Sequence, residues 1–127
     1  MSVEDYRAQF QAQPRSKYGN RKVMLDGHLF DSRAEANRYL ELKTLQYAGE
    51  IRGLELHPSF VLQKSFRHAG KVERAIRYEA DFAYTETDTG LRVVEDVKGK
   101  RTQAYTIKRK LFLAKYGHEV EFREIEV

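Results

Sequence analysis

Two strand-like segments joined by a short turn constrain the fold of this chain more than any other feature. They cover residues 76–86 and 91–98, and Asp88-Thr89-Gly90 lies between them. The first segment mixes β-branched and aromatic residues with polar ones, the second is rich in valine, and Asp and Gly are common turn formers. The pattern predicts a central antiparallel hairpin, around which the rest of the chain must build a sheet.

Helices are predicted on both sides of this hairpin. Ser32-x-x-Glu35 is a capping-box pattern, and it opens a helix that runs to about Gly49. The second helix begins at residue 102 or 103 and continues to residue 116. Gly117 is expected to end it in the left-handed conformation that glycine adopts most easily.

The remaining strands are short. Asp26-Gly27 predicts a tight N-terminal hairpin, and further strands are expected at residues 51–56, 60–63 and 119–127. The predicted fold is therefore α/β, with the order α-β-β-β-α-β, a mixed central sheet flanked by helices, and a preceding β-hairpin. We expect residues 21–127 to form a single domain and residues 1–20 to form a flexible basic arm.

Composition excludes several classes of protein. The 127 residues contain no cysteine, which excludes disulfides, a thiolate nucleophile and cysteine-ligated metal sites. No apolar run approaches the roughly 20 residues of a membrane helix, and the first residues lack the apolar core of a signal peptide. We therefore expect a cytoplasmic protein that does not bind membranes.

Charge is unevenly distributed along the chain. The net charge is +4, from 23 basic and 19 acidic residues. Residues 98–115 include seven basic residues and no acidic one, and looser basic stretches cover 64–77 and 15–22, whereas glutamates alternate near the C-terminus. Segregated positive charge attracts polyanions such as nucleic acids. The alternative is a solvated surface that only keeps the protein in solution.

Three charged residues near the ends of the central strands could do chemistry. Asp96 and Lys98 are two residues apart and share one face of a strand, while Asp81 lies on the preceding strand. If the strands pair through the predicted turn, the two carboxylates come together with an ammonium group beside them. Such carboxylates repel each other unless a proton or a cation lies between them, and oxygen ligands suit Mg²⁺ or Mn²⁺. The alternative is a cross-strand salt bridge.

Two glutamates extend this set. Glu35 occupies the third position of the capping box, and its azimuth on the helix coincides with Tyr39 and Leu42, so it could point toward the sheet and hold a metal. Glu95 points to the other face of its strand, but a β-bulge could bring it round in place of Asp96. Side chains Tyr78, Phe82 and Tyr84 are expected to share one face of the strand that carries Asp81.

The order of these residues resembles the PD-(D/E)XK nuclease superfamily. Its core of helix, three strands, helix and strand corresponds to residues 32–127 here, with Ala80 where the name-giving proline would stand. More narrowly, the chain is similar to a small phage and prophage family placed among these nucleases. The segments that carry this similarity are Ser16-Lys17-Tyr18-Gly19-Asn20, Phe30-Asp31-Ser32-x-x-Glu35, Ala80-Asp81-Phe82 and Glu95-Asp96-Val97-Lys98-Gly99.

The resemblance implies a role for each matching residue. Asp81 would bridge a metal ion and the scissile phosphate, and Asp96 would be the second metal ligand. The Val97 carbonyl would be a third ligand, and Lys98 would position or activate the attacking water. Glu35 would match the additional acidic residue found in the first helix of many members.

The implied function is a Mg²⁺- or Mn²⁺-dependent DNA endonuclease. The small size of the chain favours a structure-selective enzyme similar to Holliday-junction resolvases. Such an enzyme would act on branched DNA in phage recombination, replication or repair inside a bacterial host. A homodimer is one arrangement that fits. The alternatives are a non-catalytic nucleic-acid-binding protein that retains the nuclease fold and a structural protein. The residues expected to contact nucleic acid are Lys17, Arg21, Lys22, Lys100, Arg101, Thr102, Gln103, Lys108 and Arg109.

Overall fold

The computed structural model describes residues 21–97 and 101–126 and is a mixed α/β structure. The chain divides into two compact units, one that ends at Thr44 and one that begins at Leu45. The arm predicted at residues 1–20 lies outside the described residues. In the part of the chain that is described, no helix has the length and apolar character needed to cross a membrane.

The first unit contains the predicted N-terminal hairpin. Strands β1 (Val23–Leu25) and β2 (His28–Phe30) pair antiparallel, and both turn residues, Asp26 and Gly27, have positive φ. This conformation matches the twist of a two-residue hairpin, which is why Asp-Gly is favoured there. The Tyr39 hydroxyl donates to Asp26 Oδ2 over 3.0 Å. Burial, together with this carboxylate, raises the pKa of Tyr39 to about 12.

Helix α1 (Arg33–Tyr47) begins in the first unit, and its residues 45–47 belong to the second. The Glu35 amide donates to Ser32 Oγ over 3.1 Å, so the predicted helix start is confirmed. The helix ends two residues before Gly49, whose φ of 80° only glycine adopts easily.

A four-stranded sheet forms the centre of the second unit. It consists of β3 (Ile51–Leu56), β8 (Phe82–Glu86), β9 (Arg92–Val97) and β10 (Glu121–Ile125). The spatial order is β10-β9-β8-β3; β10 is parallel to β9, and the other pairs are antiparallel. The prediction of a mixed sheet built on a central hairpin is confirmed.

The segment before β8 departs from the prediction. Instead of one strand over residues 76–86, β7 (Ile76–Glu79) pairs with β4 (Ser59–Gln63), and a new strand begins after Asp81. Between β4 and β7 lies a second hairpin, which the sequence pattern does not predict. In it, β5 (Phe66–His68) pairs antiparallel with β6 (Lys71–Glu73). Its turn residues, Ala69 and Gly70, both have positive φ.

The break at residues 80–81 also reverses the pleat. Tyr78 and Ala80 share one core cluster with Ala83, which alternates along β8 with Phe82 and Tyr84. The expectation that Tyr78, Phe82 and Tyr84 share a face is therefore wrong. The reason is a change of partner, because the Ala80 amide donates to Pro58 O and the next amide, of Asp81, donates to Glu95 O.

Helix α2 (Gln103–Tyr116) covers the face that carries Tyr78. Phe112, which has no exposed surface, lies with its ring centre 5.0 Å from that of Tyr78 and 4.8 Å from that of Phe60. The helix ends before Gly117 as predicted, but Gly117 is right-handed (φ −62°), so the left-handed conformation was wrong. Glycine is needed there because an added Cβ would lie 2.4 Å from the Leu113 carbonyl oxygen.

We expect Phe112→Ala to lower the free energy of unfolding by about 3–5 kcal/mol, because it empties the centre of this cluster. The neighbouring Leu111 is 45% exposed, so Leu111→Ala should cost about 1 kcal/mol or less. Urea unfolding followed by circular dichroism measures both. Equal losses for the two variants would contradict this account of the core.

Candidate metal centre

The structure brings Asp81 and Asp96 together at the end of the central strands. Phe82 pairs with Glu95 in the antiparallel register, so continuing that register by one residue sets Asp81 opposite Asp96. The Asp81 amide donates to the Glu95 carbonyl over 3.1 Å, and Asp81 Oδ2 accepts from the Val97 amide over 2.7 Å. The backbone of β9 thus fixes the Asp81 carboxylate in position.

The two carboxyl groups are close enough to interact. Asp81 and Asp96 share a hydrogen bond, and the Tyr78 hydroxyl donates to Asp96 Oδ2. Burial, and then the charge of Asp81, raise the pKa of Asp96 to about 8, although the hydrogen bond from Tyr78 opposes this shift. Protonation of Asp96 relieves the repulsion between the two carboxylates. A divalent cation could take the place of that proton, since it also neutralises the repulsion.

Tyr78 connects this pair of carboxyl groups to the hydrophobic cluster that packs against α2. Its pKa is raised, first by burial and then by the charge of Asp96, so the phenol stays protonated and donates. The side chain belongs to the cluster under α2, with Phe112 and Tyr105 as aromatic neighbours. Core packing thus holds the hydroxyl that orients Asp96.

His57 is a neighbour that the sequence reading did not include. It directly precedes Pro58, between β3 and β4, and no sequence motif assigns a chemical role to it. Its amide donates to the Asp81 carbonyl over 3.0 Å, and an imidazole nitrogen lies within 4.8 Å of an Asp81 carboxylate oxygen. Nδ1 is also 3.6 Å from Glu79 Oε1. His57 has a φ of 52°, a left-handed conformation that nothing in the sequence indicates.

Glu95 lies on the opposite face of β9 from Asp96. Its side chain is fully buried (0% exposed) and accepts a hydrogen bond from the Tyr84 hydroxyl. Arg123, its register partner in β10, reaches the same hydroxyl at 3.4 Å. In this arrangement Asp96, not Glu95, reaches Asp81.

The other residues predicted to bind metal or take part in catalysis differ in their placement. Glu35 is in the first turn of α1, in the first unit, and is only 4% exposed. Val97 ends β9, and its amide is the group that contacts Asp81. Lys98 lies outside the described residues, so its role as the amine of the site stays a prediction.

The predicted DNA-contacting arginines of α2 and the segment before it are engaged by an acid. Arg101 and Arg109 contact Glu124 at 2.9 and 3.1 Å, and the Tyr105 hydroxyl donates to the same carboxylate. Burial of Glu124 opposes its ionisation, but this hydroxyl and both guanidinium groups outweigh it and lower its pKa. Glu124 is the register partner of Asp96, so these cations stabilise the sheet edge beside the site.

The remaining predicted contacts differ in their placement. Thr102 is the N-cap of α2, where its hydroxyl accepts from the Tyr105 amide, and Gln103 is the first helical residue. Lys108 and Arg77 line a groove of about 400 Å³ whose lining also includes Tyr78. Arg21 and Lys22 belong to the first unit, and Lys17 and Lys100 lie outside the described residues.

A family model described as "Protein of unknown function (DUF1064)" matches residues 15–125. No curated protein matches the chain.

Without divalent metal, we expect the stability of the protein to fall as pH rises from about 4 to about 8. Asp96 titrates near 8 when folded but near 3.8 as an ordinary carboxyl, so the folded state binds the extra proton within this window. The slope contributed by this group is up to about 1.4 kcal/mol per pH unit. Urea unfolding in EDTA should show that Asp96→Asn removes this part of the slope. The exposed turn variant Asp88→Asn should retain it, and a slope unchanged in Asp96→Asn would contradict the assignment.

We expect Mn²⁺ to raise the melting temperature of the wild-type protein. At a free metal concentration about 100 times Kd, binding to the folded state adds about 2.7 kcal/mol. Asp81→Asn and Asp96→Asn should each abolish the increase, because each removes a ligand charge, whereas Asp88→Asn should not. Differential scanning fluorimetry with and without EDTA measures the shift. An increase that persists in both site variants would place the metal elsewhere.

Proposed function

Because the chain belongs to the DUF1064 family, whose function is unknown, we propose for it the activity that its candidate metal centre supports best. That activity is hydrolysis of DNA phosphodiesters by a Mg²⁺-dependent endonuclease with a restriction-endonuclease-like core. By analogy with junction resolvases, the proposed substrate is branched DNA, and the proposed setting is recombination, replication or repair of phage DNA in a bacterial host.

The observation that carries this proposal is the contact between the Asp81 and Asp96 carboxyl groups. Two partly buried carboxyl groups that raise each other's energy are costly in a purely structural cluster, but they suit a site whose normal occupant is a cation. The donor set is made of hard oxygens, which fits Mg²⁺ or Mn²⁺ and disfavours softer metals. Asp81, Asp96 and the Val97 carbonyl would hold the ion.

The ion would supply positive charge that neutralises the phosphate and acidifies water. The chain's own residues would prepare the site for it. The Val97 amide holds one Asp81 oxygen, and the Tyr78 hydroxyl holds one Asp96 oxygen, so both carboxyl groups are oriented at the same end of the strands. Lys98 follows Val97 directly in the sequence, and its amine would position the attacking water.

The order of elements supports the finer fold assignment. Helix α1, strands β3, β8 and β9, helix α2 and strand β10 follow one another as α-β-β-β-α-β, with β4 to β7 inserted before β8. The sheet order agrees with this core, since β3, β8, β9 and β10 are successive neighbours. The carboxylates lie where β8 begins and β9 ends, so both are at the same end of these two inner strands.

We expect the protein to cleave DNA in Mg²⁺ or Mn²⁺ and not in EDTA. The substrates are supercoiled plasmid, a single strand and a four-way junction, and the junction should be cleaved fastest. Asp81→Asn, Asp96→Asn and Lys98→Ala should each reduce the rate by about 100-fold or more, the scale on which groups that stabilise developing charge contribute. Lys110→Ala, on the exposed side of α2, is the matched lysine control and should retain activity.

Two outcomes would overturn the catalytic proposal. One is cleavage that survives Asp96→Asn and Lys98→Ala, which would indicate a contaminating nuclease. The other is DNA binding with no cleavage of any substrate in either metal, which would favour the alternative function of a nucleic-acid-binding protein that retains this fold.

A further inference from the structure

A narrow β-ribbon extends from the candidate metal centre. We call residues 59–79 the basic ribbon: the chain passes through β4 and β5, turns at Ala69-Gly70, and returns through β6 and β7. Its first strand follows His57-Pro58, and its last strand ends two residues before Asp81. Both ends of the ribbon are therefore fixed beside the Asp81 carboxylate.

The far part of the ribbon is strongly basic and fully exposed. Residues 64–77 include five basic side chains and one acidic side chain, Glu73, and every residue from 63 to 74 is exposed. This stretch alone has a formal charge of +4, which equals the net charge of the whole chain. The basic side chains are Lys64, Arg67, Lys71, Arg74 and Arg77.

These cations differ from the arginines near the central sheet. Arg92 contacts Glu55 at 2.6 Å, and Arg101 and Arg109 share Glu124. Among residues 21–97 and 101–126, by contrast, Lys64, Arg67, Lys71 and Arg74 form no ion pair. The fold thus neutralises positive charge beside the sheet and leaves it uncompensated along the ribbon.

The ribbon also exposes apolar side chains that have no core to enter. Phe66 is 50% exposed and Val72 is 58% exposed. The register sets Arg67 opposite Val72 and His68 opposite Lys71, so basic groups are present on both faces of the hairpin. A two-stranded ribbon with basic and apolar side chains has the width and the chemistry to enter the major groove of a duplex.

We propose that the basic ribbon is a DNA-binding arm that lies in a groove of the duplex next to the cleaved phosphate. The choice of DNA as the partner rests on the proposed nuclease function. The outgoing side of the ribbon, from Ser59 to His68, spans up to about 30 Å at about 3.3 Å per residue. That length is close to one turn of B-form DNA, about 34 Å. The arm would therefore contact phosphates up to one turn from the site, independently of the metal.

Binding to a fluorescein-labelled duplex of about 30 base pairs, measured by anisotropy in EDTA over a series of salt concentrations, tests the proposal without cleavage. The test variant is Arg67→Ala/Lys71→Ala. The matched control is Arg52→Ala/Lys43→Ala, which also removes one exposed arginine and one exposed lysine, outside the ribbon. Circular dichroism melts should show that both variants fold, since all four side chains are exposed.

We expect the ribbon variant to bind about tenfold more weakly than wild type and to lower the slope of log K against log salt by up to about 1.8, since each phosphate contact contributes about 0.9. The control should change neither quantity appreciably. Equal effects of the two variants, or no effect of either, would overturn the proposal. So would unchanged duplex binding with loss of binding to vesicles of phosphatidylserine and phosphatidylcholine, which would identify a membrane-binding arm.

Failure of the arm and failure of the nuclease are distinguishable. If the ribbon variant loses duplex affinity while the wild-type protein cleaves nothing in Mg²⁺, the arm stands and the catalytic proposal falls. If the wild-type protein cleaves junction DNA and both variants bind duplex as wild type does, the arm falls and the catalytic proposal stands.

Discussion

The backbone hydrogen bonds of residues 80 and 81 determine most of what this structure can do. The Ala80 amide still bonds to Pro58, next to β4, whereas the Asp81 amide bonds to Glu95 in β9. One peptide unit thus carries the chain from the basic ribbon into the central sheet. The same step leaves Tyr78 under α2, turns Asp81 toward Asp96, and reverses the pleat for the residues that follow.

The sequence predicted those parts of the structure that depend on local signals. Asp26-Gly27, the capping box at Ser32 and the stop before Gly117 act within a few residues, so the first hairpin and both helices could be located. The break at Asp81 could not be located, because it depends on partners far away in the chain. The β5–β6 hairpin was missed because its exposed strands lack the apolar alternation of a buried sheet, although Ala69-Gly70 offered a weak turn signal.

The residues of the candidate site likewise fall into those that local sequence signals predicted and those that depend on distant contacts. Asp81 and Asp96 could be paired from the turn between their strands, and parity favoured Asp96 over Glu95. His57 could not be assigned, because its approach to Asp81 depends on a bond between two loops. The runs of positive charge were also incomplete guides, since Glu124, distant in sequence, engages Arg101 and Arg109. Local charge density therefore could not indicate which arginines the fold pairs with an acid.

The parallel pairing of β10 with β9 has a consequence for biosynthesis. Parallel neighbours cannot be joined by a tight turn, so α2 must be made and packed before β10 can reach β9. Until then, the strand that carries Asp96 is an open edge, and Glu124, the acidic partner of Arg101 and Arg109, is absent beside it. A ribosome-bound chain that has completed β9 therefore has both acidic side chains but not their finished surroundings. The surroundings of the centre are therefore completed late in translation, and a chain truncated before β10 would leave β9 as an edge strand.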